Sequence, residues 1–248
     1  MTNTQTLLKA SIVMLALVVL SACTPAPRAT GISDPYEQAN RRIHQGNLVF
    51  DRVFFGPVSE AYGEGLPEPV RNRIEDFAAN TSLPSLVVND LLQGKIEDAA
   101  HNSVRFLFNA TIGLLGLFDP ASGIGLEERS TDFGETLHVW GVPEGDYVVM
   151  PFFGPSNERD AVGIVVDFFT NPLSYALKTP ESYLPTGAGI VARFGERYTY
   201  ASTVEDILYT SEDGYVTARL FYLDNRRYIL SGDEATDELY DIYEEAYD

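Results

Sequence analysis

The chain has 248 residues, 45% of them hydrophobic, which is enough for a sizeable core and argues against wholesale disorder. With 36 acidic residues against 17 Lys and Arg, its formal charge of −19 excludes a polybasic grip on nucleic acid or on anionic lipid. A single cysteine excludes an intramolecular disulfide.

Residues 1–22 read as an export signal. Lys9 closes a short n-region, and ASIVMLALVVL (Ala10–Leu20) is an apolar run too short for the roughly 20 residues of a membrane span. Leu20-Ser21-Ala22-Cys23 has the form of a bacterial lipobox, in which the cysteine thiol takes a diacylglyceryl group. The alternative is an ordinary cleavage site that adjoins a cysteine. Each buried CH₂ contributes about 0.8 kcal/mol, so two or three acyl chains make a stable anchor where one binds reversibly. Thr24 stands where enterobacterial lipoproteins held at the inner membrane carry aspartate, which favours the outer membrane. Residues 23–33 form the lipidated tether, with TPAPRATG extended. Cleavage removes Lys9 and carries the formal charge from −19 to −20, so any contact of the folded body with a bilayer must be apolar.

The body, residues 34–232, reads as helical. Asp34-Pro35-Tyr36-Glu37 is a helix start, with Asp34 as N-cap, and the helix should end before Gly56-Pro57. LPEPV starts a second helix, running to about Ala79. Pro84 opens the short segment SLVVNDLLQG, which Gly94 caps. Glu97–Ile112 follows, and Asp119-Pro120 repeats the start signal. Asp132–Trp140 is a brief helix ended by Gly141, after which GVPEGDYVVMP is punctuated and partly extended. Ser156 caps a helix to about Phe169, and two more lie near Gly187–Tyr209 and Asp213–Arg227. Residues 233–248 hold eight acids and no base, either a weak amphipathic helix or an unstructured tail.

Catalytic signatures are missing: there is no G-x-S-x-G elbow, H-E-x-x-H, P-loop or dinucleotide fingerprint. His44, His101 and His138 lack the close spacing of common zinc sites, so no metal and no cofactor is expected. The most informative stretch is VRFLFNATIGLLGLF (Val104–Phe118), apolar but interrupted. Fifteen helical residues cover about 22 Å, short of the ~30 Å hydrocarbon core. Gly113 and Gly116 each cost about 1 kcal/mol of helix propensity, and mark either close packing or a bend in an apolar setting. Arg105, Asn109 and Thr111 either face a polar path or cross-link neighbouring helices. Gly141 and Gly145, with Tyr147, belong to a mobile loop or to a simple turn-rich connection.

These blocks resemble the MlaA/VacJ family of bacterial outer-membrane lipoproteins. The resemblance begins at DPYEQANR (Asp34–Arg41) and PEPVR (Pro67–Arg71). VNDLLQGK (Val88–Lys95), RFLFNATIGLLGLFDPAS (Arg105–Ser122) and DFGETLHVWGV (Asp132–Val142) continue it in order. PFFGPSNERD (Pro151–Asp160) and DGYVTARLFYLDNRRY (Asp213–Tyr228) complete it. One departure is Gly145-Asp146-Tyr147, where the family usually has proline in place of Asp146.

The resemblance implies an all-α, ring-shaped arrangement of amphipathic and interfacial helices around a central channel, with no full transmembrane span. It implies a non-enzymatic lipoprotein in the periplasmic leaflet of a Gram-negative outer membrane, anchored through acyl chains on Cys23, beside trimeric porins. Such proteins remove mislocalised phospholipids from the outer leaflet and pass them to an MlaC-like periplasmic carrier. Arg105, Asn109, Thr111, Gly113 and Gly116 are then candidates for the phospholipid path. A structural porin- or envelope-associated lipoprotein without transport is the alternative, and a lipid-cleaving hydrolase a third.

Overall fold

The computed structural model describes residues 31–232. The signal, Cys23, most of the tether and the acidic tail lie outside the described residues. The elements in order are α1 (Glu37–Phe50), α2 (Gly56–Gly65), α3 (Glu68–Gln93), α4 (Ile96–Thr111) and α5 (Phe133–Val139). A hairpin of β1 (Tyr147–Met150) and β2 (Gly154–Asn157) follows. Then come α6 (Glu158–Thr170), α7 (Leu173–Ala176), α8 (Leu184–Thr199), α9 (Ala201–Glu205) and α10 (Gly214–Ser231). The fold is thus helical with one small antiparallel sheet, Tyr147 facing Asn157 and Met150 facing Gly154. Among the described residues, no helix is long and apolar enough to cross a membrane.

Two predicted breaks are absent. The helix continues through Gly56-Pro57 because a π-turn over Asp51–Phe55 shifts the ladder, with Gly56 N donating to Asp51 O. That turn is held from outside: the Asp51 carboxylate accepts two bonds from Arg197 on α8, each 2.9 Å, and one from the Tyr209 hydroxyl at 2.8 Å. Likewise α3 runs past Ala79 and carries Pro84 inside it. Packing against α4 and α8 overrides the proline, and Asn171, distant in sequence, donates its Nδ2 to Thr81 O beside it.

Three start signals also resolve differently. Asp34 does not cap α1; its carboxylate is buried and accepts from Asn40 Nδ2, the Tyr215 hydroxyl and Arg219. Asp119-Pro120 begins a turn and a 3₁₀ segment, Ser122–Ile124, instead of an α-helix. Asn157, not Ser156, caps α6, its side chain accepting from Asp160 N. The caps at Gly94, Asp132 and Asp213 match their sequence signals: Gly94 takes φ 76°, and both aspartates accept from first-turn amides.

The hairpin packs on α1 and α10, where Tyr147 and Val149 meet Tyr215 and Leu223. Two asparagines of α1 serve as its missing neighbour strand. Asn40 donates to Tyr147 O and accepts from Val149 N; Asn47 donates to Met150 O and accepts from Phe152 N.

A charged clasp joins α5, α6 and α10. Arg226 makes a two-bond fork to Asp132, both 2.7 Å, and bonds Asp160 at 2.8 and 3.1 Å. Asp160 also accepts from Asn157, Arg159 and the Tyr222 hydroxyl. Burial opposes its charge, but Arg226 and Arg159 outweigh that and hold the carboxyl below the usual range. The distribution of side chains is inverted: among the described residues, seventeen polar or charged ones are buried against ten apolar ones, while thirty-five large apolar ones are exposed.

Candidate functional site

The stretch Val104–Phe118 is half helix and half turn. α4 stops at Thr111, and Leu114, Leu115 and Gly116 take φ of 54°, 62° and 88° in succession. Left-handed leucines each cost roughly 1–2 kcal/mol, yet these two are 62% and 75% exposed and bury little in return. Ile112, Leu117 and Phe118 are exposed as well, so the turn is an apolar rim.

What pays for this strain lies beneath it. Arg105 and Asn109, one turn apart on α4, are only 5% and 2% exposed. Arg105 donates to Asp119 Oδ2 at 2.8 Å, to Ser122 Oγ at 2.9 Å and to Leu126 O. Asn109 donates to Asp119 Oδ1 at 2.8 Å and accepts from Ala121 N at 3.1 Å. Ser122 adds its hydroxyl and its amide to Asp119. Burial alone would raise the Asp119 carboxyl, but the bonds from Ser122, Asn109 and Arg105 hold it below its usual range.

The structure therefore brings Arg105, Asn109, Gly113 and Gly116 together as a strap that shapes the rim. A Cβ on Gly113 would collide with the carbonyls of Asn109 and Phe118, and one on Gly116 with the Asn80 side chain. Thr111 is separate: it is exposed, and its hydroxyl donates back to Leu107 O at 2.7 Å. Of the second group, Gly141 ends a turn at φ 85° and Gly145 lies in the irregular connection at φ 73°. Tyr147 is a buried residue of β1, edge-to-face with Tyr215 at 5.9 Å, and so belongs to the core and not to a loop.

Two clefts flank α3. The first, about 370 Å³, is lined by Arg73, Asp76, Ile112, Phe118, Asp119 and Pro120. Arg73 lies over the Phe118 ring at 4.5 Å and pairs with Asp76 at 3.0 Å. Burial, with Asp119 nearby, pushes the Asp76 carboxyl up, against the pull of Arg73. The second, about 330 Å³, is apolar: Ile74, Phe77, Leu184 and Val191 line it with Tyr183 at the edge. Positions 73 and 76 face one cleft and 74 and 77 the other, so two successive turns of α3 divide a charged surface from an oily one. Sequence reasoning missed Arg73, Asp76 and Asp119 as a group. Asp119 had a visible signal, but as a helix start it pointed to the wrong task.

Comparison with known proteins bears on this arrangement. The family model described as MlaA lipoprotein matches residues 32–229. The chain belongs to the MlaA lipoprotein family. Within the MlaA family it is similar to the Escherichia coli K12 protein named intermembrane phospholipid transport system lipoprotein MlaA, 30% identical over 232 residues, 92% of this chain and 90% of that one. An uncharacterised Rickettsia typhi protein is 31% identical over 189 residues, 76% of this chain and 74% of its own. A solved structure, from work on the structural basis for maintenance of bacterial outer membrane lipid asymmetry, superposes with a TM-score of 0.68 at 30% identity. It covers 80% of this chain and 99% of that one. The MlaA match thus extends to the fold as well as the sequence.

Proposed function

We propose that this chain is a lipoprotein of a Gram-negative outer membrane, seated in the periplasmic leaflet, that removes phospholipids mislocalised to the outer leaflet. It passes them through a central amphipathic channel to an MlaC-like periplasmic carrier, beside trimeric porins, and leaves them covalently unchanged. The observation that carries the reading is the inverted side-chain distribution: an apolar exterior over a polar, hydrogen-bonded interior, on helices that do not span. Such a body is at home part-way into one leaflet, with its backbone satisfied within helices. Membership of the MlaA family and the name of the E. coli relative support phospholipid as the cargo.

In this reading Cys23 carries the acyl anchor. Arg105, Asn109, Gly113 and Gly116 serve the lipid path by fixing the rim, and Thr111 lies at its exposed edge. Gly141 to Gly145 is the movable part of the later connection, with Tyr147 as its fixed root. A passive channel equilibrates lipid, so net direction comes from the downstream acceptor. A strain lacking the chain is expected to accumulate phospholipid in the outer leaflet and to leak to detergents; normal leaflet asymmetry in that strain would overturn the proposal.

A further inference from the structure

We propose that the cleft beneath the apolar rim is a subsite for the zwitterionic phosphoethanolamine headgroup of a phospholipid, with phosphate on Arg73 and the primary ammonium on Asp76. The inference rests on the lipid-handling reading above and adds the headgroup class.

The charges decide it. Arg73 forms an ion pair with Asp76 and lays one face on Phe118, and its side chain is still 35% exposed, which leaves guanidinium donors open to the cleft. Asp76 gives one oxygen to Arg73 and, among the described residues, keeps the other without a hydrogen-bond partner. Asp119 shares the wall but is spent: each of its oxygens already accepts two bonds, and Arg105 matches its charge. The open groups are thus one cation and one anion, side by side.

A bare phosphate would gain one guanidinium and meet the repulsion of Asp76. An anionic glycerol headgroup would leave Asp76 with only the Arg73 that the phosphate also uses, and a choline has no N–H to donate. A primary ammonium supplies donors to Asp76 while its phosphate takes Arg73, so each charge meets its opposite. The apolar side of the fit is present as well. Ile112 and Phe118 form one wall of the cleft and continue into the exposed Leu114, Leu115 and Leu117, where the acyl end of the same lipid would lie.

The test uses the full-length acylated protein, extracted from membranes and placed in vesicles of equal phosphatidylethanolamine and phosphatidylglycerol. Lipid retained on the purified protein is quantified by mass spectrometry. Wild type is expected to enrich phosphatidylethanolamine about three-fold, as suits a partly exposed ion pair. Asp76→Asn and Arg73→Gln are each expected to bring the ratio back to that of the vesicle, whereas Asp76→Glu keeps part of the enrichment. An unselective wild type, or full enrichment in Asp76→Asn, would overturn the subsite and leave the transport reading standing. Wild type that retains no phospholipid at all would instead overturn the transport reading. Soluble phosphoethanolamine should erode the enrichment and inorganic phosphate should not; equal erosion by both would mean a plain anion site and sink the proposal.

Discussion

The clasp around Asp160 and the rim at residues 112–118 are built from opposite materials and held by opposite means. In the clasp, Asp160 is almost wholly buried, and its oxygens accept from Asn157, Arg159, Tyr222 and Arg226. In the rim, leucines stand in the left-handed region with their side chains outward, and the compensation comes from Arg105, Asn109 and Asp119 below. A water-soluble globule would place these the other way round. The contrast teaches that directional polar bonds set the shape here, which leaves the apolar side chains free to meet an apolar surrounding.

The strongest way to break the comparison is Asp160→Asn. It leaves Arg226 and Arg159 buried with one carboxylate fewer, and should cost about 3–5 kcal/mol in chemical denaturation of the detergent-solubilised protein. A loss below about 1 kcal/mol would mean that the clasp is not what holds α5, α6 and α10 together. Next is Gly116→Ala, which forces a Cβ into Asn80 at a φ of 88°. A cost of about 1–3 kcal/mol is expected, with faster proteolysis confined to residues 112–118.

Leu115→Glu sharpens the other side. Its effect on denaturation should stay within about 0.5 kcal/mol, because the side chain packs on little. Binding of the unacylated Cys23→Ala form to vesicles should weaken about ten-fold, as for the loss of one buried leucine. Equal binding with and without the glutamate would place the rim away from lipid.

The smallest effect is on pH. Asp160 and Asp119 lie below the ordinary aspartate value of 3.8 when folded, so their stabilisation is present above that value and is lost as pH falls through their folded pKa. Burial raises Asp76, Asp90 and Asp167, whose contribution is present below 3.8 and is lost as pH rises through their folded values. The two sets oppose one another, so a melting series against pH should be shallow in mild acid and fall below about pH 3.8. Asp160→Asn should flatten the acid fall.

Much of the fold was legible in the sequence because capping is local. Gly94, Asp132 and Asp213 ended or began helices where their neighbours said they would, and the glycines at 113 and 116 correctly argued against a continuous span. The errors came where long-range partners outbid local preference. Pro84 and Gly56-Pro57 did not stop their helices, and Asp34 gave up capping for Tyr215 and Arg219, over 180 residues away. The site was less legible than the fold. Arg105 and Asn109 stand out in the sequence as polar residues in an apolar run, but their partner Asp119 became apparent only once the turn had folded it back.

By itself, then, the amino-acid order determined the helical class, the caps and the interrupted apolar stretch, since each depends on neighbours within a few turns. Tertiary structure decided which polar residues are spent on one another and which remain open. Asp119 and Asp76 are both aspartates near an arginine in space, but four bonds saturate the first while the second keeps an oxygen free. That difference is one of three-dimensional neighbours, and no local pattern encodes it.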